Sequence, residues 1–371
     1  MSSVSKMRVG VIGCGKISSI YLQAPRTFDI LDIIACSDLD MERARAQADR
    51  YGIADALTVD ELLAHPQIEL VINLTIPRAH FEVSMAVIEA GKSLYTEKPL
   101  ALNREQGRQL LEAARRQGVY VGGAPDTFLG AGLQTCRQLI DEGAIGTPVA
   151  ASAFMMNHGA EHWHPDPEFF YQPGAGPLFD MGPYYITALV TMLGPIWRVT
   201  GSAKTTFAER TVTSEPKYGT KITVNTSTHI AGILDFACGA TGVLVTSFDI
   251  WAHRLPFIEI YGSEGTLSLP DPNTFAGPVR LRRAGETEWN EIPLTHPYAT
   301  NSRGLGTADM AYGLRTGLPY RANGELTYHV LDTMQSIMEA ATEGRHIELG
   351  STCERPVALP PEKTLEMAWH G

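Results

Sequence analysis

The sequence predicts an α/β protein with two domains, and three observations support this prediction. Its 371 residues exceed the length that one hydrophobic core usually serves. Residues 7–123 alternate short apolar runs with helix-forming segments, whereas the chain after about residue 126 carries longer β-rich runs. We therefore predict a doubly wound α/β domain over 1–126, an α+β domain over 127–350 and an extended tail over 351–371.

Five apolar runs form the predicted parallel sheet of the first domain. They read MRVGVIG, ILDIIACS, ELVINLT, KSLYT and VYVGG, and the segments between them, such as 41–51, 78–90 and 103–117, are rich in Ala, Glu, Arg and Gln. Near-continuous apolar strands separated by helices are typical of a parallel sheet covered on both faces. The spacing of Asn103 and Gln106 also predicts a capped helix start.

Alternating polar and apolar residues characterise the second domain. The runs PVAASAFMMN, KITVNTSTHIAGILDFA, TGVLVTSFDIW, FIEIYG and TLSLP indicate a large, mostly antiparallel open sheet with one exposed face. Helices are predicted at 131–142, 183–193, 305–317 and 324–343.

The charge and composition of the chain exclude some classes of binding partner. A net charge of −11 argues against nucleic acid and anionic membranes, so a small molecule is the expected partner. No apolar run approaches the length of about eighteen residues that a membrane span needs, and the first residues lack signal-peptide features. Five scattered cysteines without C-x-x-C spacing indicate a reducing compartment. We expect a cytoplasmic protein.

A glycine-rich turn in VGVIGCGKIS follows the first predicted strand. Gly13 and Gly15 are followed by Lys16, Ile17 and Ser18, which resembles the G-x-G-x-x-G/A pattern with a small residue at its last position. Such a turn lets the backbone approach a pyrophosphate and offers it free N–H groups. The first domain is therefore predicted to be a Rossmann dinucleotide-binding domain.

An aspartate at the end of the second strand indicates which dinucleotide binds. Asp38 lies 23 residues after Gly15, close to the spacing at which a carboxylate accepts hydrogen bonds from the adenine ribose. A carboxylate there repels the 2′-phosphate of NADP, so NAD is the predicted cofactor. Arg43 and Arg45 leave NADP possible, and a surface-turn aspartate is the plain alternative.

Three stretches carry a resemblance to a known family. GVIGCGKIS, NLTIPRAHFEVSMAVIEAGKSLYTEKPLA and DEGAIGTP are similar to the Gfo/Idh/MocA oxidoreductases, which include glucose-fructose oxidoreductase and inositol dehydrogenase. The resemblance implies that Lys98 is catalytic and contacts the substrate, and that Pro99 forms a cis bond. It further implies that Glu97 contacts the cofactor ribose and that Thr75 and Pro77 lie along the cofactor cleft.

The same resemblance places His80 in the cofactor cleft. A histidine on a helix face that bonds the local backbone is equally consistent with the sequence.

A proton acceptor or relay is required beside the substrate hydroxyl, because oxidising an alcohol removes a hydride from carbon and a proton from oxygen. Lys98 is the candidate for that role.

The stretch PLFDMGPYYITAL supplies the expected second half of the site. The family carries an aspartate here and a histidine four residues later; Asp180 matches, but Tyr184 replaces the histidine. Residues four apart share a helix face, and the resemblance implies that both are catalytic and substrate-binding residues. Either Lys98 is the base and Tyr184 orients the substrate, or Tyr184 passes the proton. A helix N-cap is the alternative for Asp180.

A loop rich in histidine and aromatic residues is a candidate substrate contact. His158 and Trp163 in MMNHGAEHWHPDPEFF suit a carbohydrate, because indole covers the apolar face of a sugar ring and imidazoles bond its hydroxyls. The histidine spacing matches no common zinc site, so no metal is predicted. Packing against a neighbouring subunit is the alternative. Asp126, which follows the last strand, is also predicted to face the substrate.

These observations predict an NAD(P)-dependent dehydrogenase or reductase that acts on a sugar, cyclic polyol or sugar derivative. Two alternatives stay open: an NAD-dependent glycosidase that oxidises the sugar transiently, and a non-enzymatic sensor that binds the dinucleotide. The resemblance implies a homodimer or homotetramer formed through the open face of the second-domain sheet.

Overall fold

The computed structural model describes residues 4–370, with side chains through residue 369. The chain forms two compact units, and neither is continuous in sequence. The first contains residues 4–130, 296–328 and 359–370, and the second contains 131–295 and 329–358. This division differs from the predicted consecutive domains, because two later segments of the chain return to the first unit.

A six-stranded parallel sheet forms the centre of the first unit. Its strand order is β3-β2-β1-β4-β5-β6, and every neighbouring pair is parallel. The strands are β1 Met7–Ile12, β2 Leu31–Ser37, β3 Asp55–Ala56, β4 Leu70–Asn73, β5 Ser93–Thr96 and β6 Val121–Gly123. The order reverses between β1 and β4, and ligands of open α/β sheets bind outside the carboxyl ends of strands at such a point.

A nine-stranded mixed sheet dominates the second unit. Its order is β16-β15-β14-β13-β7-β12-β11-β8-β17, with β7 and β12 parallel and the other pairs antiparallel. A separate hairpin pairs β9 with β10. The strands are β7 Pro148–Met156, β8 Ile196–Lys204, β9 Glu209–Thr211, β10 Lys221–Thr223, β11 His229–Phe236, β12 Thr241–Ser247, β13 Ile258–Gly262, β14 Gly265–Leu269, β15 Val279–Arg283, β16 Asn290–Ile292 and β17 Ile347–Glu348. The predicted fold class is confirmed.

Apart from the one predicted at 183–193, which starts earlier, the helices that the sequence predicts begin and end within one residue of the predicted bounds. They are α1 Ser18–Leu22, α2 Met41–Tyr51, α3 Val59–Ala64, α4 Pro77–Glu89, α5 Arg104–Gln117, α6 Ala131–Asp141, α7 Gly176–Leu193, α8 Leu305–Thr316, α9 Gly324–Glu343 and α10 Leu365–His370. The side chain of Asn103 accepts a bond from Gln106 N at the start of α5, as predicted. Among residues 4–370, no helix combines the length and apolar character needed to cross a bilayer.

The end of the chain departs from the predicted extended tail. Residues 365–370 form α10, and Leu365 is 1% exposed. Its backbone N donates to Tyr298 Oη at 2.6 Å. The indole of Trp369 stacks on Tyr312 and donates to Asp309 Oδ1. The tail is helical here because burying these side chains against the first unit outweighs the Pro-rich composition that precedes them.

A buried histidine in the second unit predicts a pH-dependent stability. In α9, His329 Nε2 accepts from Ile196 N at 3.0 Å and Nδ1 contacts Ser351 Oγ at 2.9 Å. Burial lowers the pKa of His329 to about 4. The unfolded chain binds this proton near pH 6.5, so the folded state loses stability as the pH falls from about 6.5 to about 4.

This loss is expected to reach about 3 kcal/mol in the free energy of unfolding, and none is expected above pH 7. Urea unfolding between pH 7.5 and 4.5 measures it. A His329→Gln variant, which does not titrate, is expected to show a correspondingly flatter pH profile. An unchanged profile would show that other groups cause the acid sensitivity.

Candidate functional site

A cavity opens where the sheet order reverses in the first unit. It has a volume of about 480 Å³ and lies beside the ends of β1, β2 and β4. Its lining comprises Ile12, Gly13, Gly15, Asp38, Leu39, Asp40, Arg43, Val59, Leu74, Thr75, Ile76, Arg78, Ala79 and Val83. The sequence-predicted residues Gly13, Gly15, Asp38 and Thr75 therefore meet at one place.

The two glycines of the turn have different physical requirements. Gly13 has φ 104°, and a Cβ there would lie 2.7 Å from the backbone C and O of Leu74. A Cβ on Gly15 would meet nothing within 4 Å. Gly13 is therefore needed for the fold of the turn, whereas Gly15 borders open space, as a backbone that a pyrophosphate approaches requires. Lys16 and Ile17 are exposed just before α1.

Asp38 is held at the rim of this cavity by backbone donors. Its Oδ2 accepts from Cys14 N at 2.8 Å and its Oδ1 accepts from Asp40 N at 2.9 Å. Arg43 Nη1 lies 3.4 Å from Oδ1. An ionised carboxylate has capacity for further hydrogen bonds, so the pair of ribose hydroxyls of NAD fits this position. The glycine turn, the cavity and the Asp38 carboxylate together form a site that suits a dinucleotide.

Replacing Asp38 is expected to change the cofactor preference. In Asp38→Ala the charge that repels a 2′-phosphate is removed, and Arg43 loses one of its carboxylate partners. We expect the ratio of NADP to NAD affinity to rise by about tenfold or more, since one charge-assisted contact contributes about 1.5–3 kcal/mol. Fluorescence titration with NADH and NADPH measures both dissociation constants. A wild-type chain that already prefers NADPH would contradict the role of Asp38.

The turn that carries Lys98 follows β5 and is fixed on its N-terminal side by Glu97. Tyr21 donates its hydroxyl to Glu97 Oε1 at 2.7 Å, and Lys98 N donates to Glu97 Oε2 at 3.1 Å. Glu97 N donates to Asn73 O at the end of β4 with a separation of 2.9 Å. The Lys98–Pro99 bond is cis, as the resemblance implied. Glu97 thus holds the lysine turn, and its contact with a ribose stays a prediction.

His80 is part of the protein interior beneath this turn. The residue is 1% exposed; its Nδ1 lies 2.7 Å from Pro99 O and its Nε2 lies 2.9 Å from Thr75 O. Both carbonyls favour proton binding, but burial has the larger effect and lowers the pKa of His80. The predicted direct contact with the cofactor is corrected: the ring bonds local backbone. Pro77 is the first residue of α4, where no backbone N–H is required.

Asp126 also differs from its predicted role. It is 1% exposed, and its Oδ2 accepts from Gly304 N at 2.9 Å and from Gly306 N at 3.0 Å. Burial raises the pKa of Asp126 to about 6. The carboxylate accepts hydrogen bonds from buried backbone N–H groups at the start of α8, which need an acceptor. It therefore fixes this helix start and does not face a substrate. The substrate-binding assignment of Asp126 is therefore withdrawn.

In the second unit, Asp180 and Tyr184 lie four residues apart on α7. Asp180 is half-buried and Tyr184 is 8% exposed. The helix begins at Gly176, earlier than predicted, and Ala175 is its N-cap. The alternative reading of Asp180 as an N-cap is therefore excluded. Spacing of four residues places the two side chains on one face of the helix.

The loop before α7 contains the predicted aromatic contacts. The His158 ring stacks on Trp251 with centroids 3.4 Å apart, and Trp251 is 82% exposed. Trp163 is 55% exposed and makes edge contacts with His164 and Phe170. Open aromatic surface suits the face of a sugar ring. Within residues 4–370, no group of three His, Cys, Asp or Glu side chains is placed to share a metal ion.

Two residues that build the lysine turn were missed by the sequence analysis. Asn73 is fully buried and joins Thr75, Ser84 and His80 by side-chain bonds, and Tyr21 bonds Glu97. The position of Asn73 at the end of the apolar run LVIN could have indicated such a role, because a buried side-chain amide needs hydrogen-bond partners. Tyr21 lies 76 residues from Glu97, so no local pattern indicates that pair.

Comparisons with known proteins identify the family of both parts of the chain. Residues 7–123 match a family described as "Oxidoreductase family, NAD-binding Rossmann fold", and residues 133–268 match the "GFO/IDH/MocA C-terminal domain". Over 92% of its length the chain is 26% identical to a 1,5-anhydro-D-fructose reductase of Ensifer adhaerens, of which it covers 98%. It is 24% identical to a myo-inositol 2-dehydrogenase of Thermotoga maritima over 70% of this chain and 74% of that protein.

Solved structures show the same fold. A levoglucosan dehydrogenase in complex with NADH and L-sorbose superposes with a TM-score of 0.79 at 20% identity. The match covers 93% of this chain and 99% of that chain. At this identity the similarity establishes the fold, with its parallel first sheet and mixed second sheet.

Proposed function

Because this chain belongs to the Gfo/Idh/MocA family of NAD-binding oxidoreductases, we propose that its substrate is a sugar, cyclic polyol or sugar derivative. A hydride passes between nicotinamide and a carbon that bears a hydroxyl or keto oxygen. The observation that carries the proposal is the Lys98 turn, which is anchored through Glu97 and Asn73 to the strand ends that border the dinucleotide cavity. The names of the relatives support the substrate class.

In this proposal, some residues of the first unit bind the cofactor and Lys98 transfers the proton. The backbone around Gly13 and Gly15 binds the pyrophosphate, and Asp38 accepts hydrogen bonds from the adenine ribose. When bound, NAD supplies the hydride acceptor or donor. Lys98 takes the proton from the substrate hydroxyl during oxidation and returns it during reduction. Its aliphatic stem starts from a backbone held on both sides, which limits the positions the amine can take.

The second unit supplies substrate contacts in this proposal. Asp180 accepts hydrogen bonds from substrate hydroxyls, and Tyr184 donates to or accepts from the oxygen that reacts. His158 and Trp163 offer an imidazole and an indole to a carbohydrate ring. A neutral polyol fits these groups, since they are mostly uncharged hydrogen-bonding and aromatic side chains.

One screen tests the proposal. Sugars, inositols and their keto forms are incubated with the protein and NAD or NADH, then with NADP or NADPH, while absorbance at the nicotinamide band is followed. We expect an absorbance change with at least one cyclic polyol or sugar. Release of an aglycone without net NADH would instead identify a glycosidase. Tight NAD binding with no turnover of any compound would favour a sensor.

A further inference from the structure

His80 connects the cofactor cavity to the lysine turn through its ring. We propose that His80 is a positioning residue whose Nδ1–H fixes the carbonyl of Pro99 and thereby sets the direction in which Lys98 leaves the backbone. This inference rests on the proposed function of Lys98. It gives a role to a fully buried, titratable group that the chemistry itself does not use.

The helix that carries the ring is itself fixed to the sheet. The side chain of Asn73, at the end of β4, donates to His80 O at 3.2 Å and to Ser84 Oγ at 3.0 Å. Asn73 Oδ1 accepts from both N and Oγ1 of Thr75. Asn73 and Ser84 are 0% exposed, so water does not compete for these bonds. The imidazole therefore extends from a rigid base, and its position relative to β4 is defined.

The lysine backbone is bonded on both sides by this arrangement. Residue 97 is held by Tyr21 and by the end of β4, and residue 99 is held by the His80 ring at 2.7 Å. Proline has no N–H, so the carbonyl is the hydrogen-bonding group that its backbone can use. Removing the ring donor leaves residue 97 fixed and frees residue 99. A displacement of about 1 Å at a reacting group can lower a rate by about a hundredfold.

Two amide variants separate the two ring nitrogens. The side-chain nitrogen of Asn occupies about the position of histidine Nδ1, and that of Gln occupies about the position of Nε2. His80→Asn therefore keeps the donor for Pro99 O, whereas His80→Gln removes that donor and places its own N–H groups toward Thr75 O. We expect His80→Gln to lower kcat by about tenfold with the Kd for NAD within about twofold of wild type, and His80→Asn to stay within about threefold in kcat.

The experiment measures kcat by stopped-flow with the best substrate of the screen, and NAD binding by calorimetry without substrate. Thermal unfolding of both variants shows whether they are folded at the assay temperature. Equal losses of kcat in the two variants, or a wild-type kcat in His80→Gln, would overturn the inference. Failure of both variants to fold would also overturn it, because His80 would then serve the fold and not the lysine.

A double substitution separates this inference from the proposed function. If His80 acts through Lys98, then His80→Gln has no further effect on the residual rate of a Lys98→Ala chain. A full additional loss there would contradict the positioning role while leaving Lys98 catalytic. An unchanged rate in Lys98→Ala alone would instead contradict the proposed function, whatever the His80 variants do.

Discussion

Lys98→Ala is expected to lower kcat by at least about a hundredfold, the scale of losing a general acid or base. The Kd for NAD is expected to stay within about threefold of wild type, because the proposed cofactor contacts come mainly from the glycine turn and Asp38. The substitution leaves the bonds of Glu97 to Tyr21 and to the residue 98 backbone in place. Single-turnover kinetics with saturating NAD and a calorimetric titration of NAD measure the two quantities.

Tyr184→Phe is the matched comparison for this prediction. It removes one hydroxyl from α7 and keeps the ring, so packing of the buried helix is retained. If Lys98 is the proton acceptor, Tyr184→Phe raises KM more than it lowers kcat. A loss of kcat in Tyr184→Phe as large as that in Lys98→Ala would assign the proton transfer to tyrosine. A normal rate in Lys98→Ala would remove lysine from the mechanism.

Gly13→Ala is expected to have the second large effect, on both folding and cofactor binding. A residue with a side chain is strained at φ 104°, and its Cβ would overlap the backbone C and O of Leu74 at 2.7 Å. The expected loss in the free energy of unfolding is on the order of 3 kcal/mol. NAD affinity is expected to fall by about a hundredfold or more, because the strand end and turn must shift. Urea unfolding and calorimetry measure these changes.

Gly15→Ala is the control, because its Cβ enters open space. We expect a free energy of unfolding within about 0.5 kcal/mol of wild type, together with NAD affinity lowered by about tenfold, since the methyl group lies where the pyrophosphate approaches. If Gly15→Ala bound NAD as tightly as wild type, the pyrophosphate would have to lie elsewhere along the turn.

Local patterns predicted much of the fold and several of the residues that line the cavity of the first unit. The apolar run MRVGVIG and its glycines, Asp38 at a strand end, and Asn103 at a helix start each depend on neighbours within a few residues. For such features the period of the side chains and the geometry of a turn determine the structure.

The errors concern residues whose partners are distant in sequence. The donors to Asp126 lie 178 and 180 residues away, and the ring of His80 reaches a carbonyl 19 residues away. A strand-end aspartate or a helix histidine looks the same whether it faces a ligand or satisfies buried backbone groups. Burial decides between these outcomes, and burial depends on tertiary packing that a single sequence does not display.

The discontinuous first unit has a consequence for how the chain is made. Its sheet lies within the first 130 residues. Helices α8 and α10 belong to residues 296–328 and 359–370, and so does the hydrogen bond that Trp369 donates to Asp309. During synthesis on the ribosome, the first unit can therefore complete its fold only after residues 131–295 of the second unit have been made. A fragment ending near residue 130 would therefore leave the buried Asp126 without its two amide donors, and we expect it to aggregate when expressed alone.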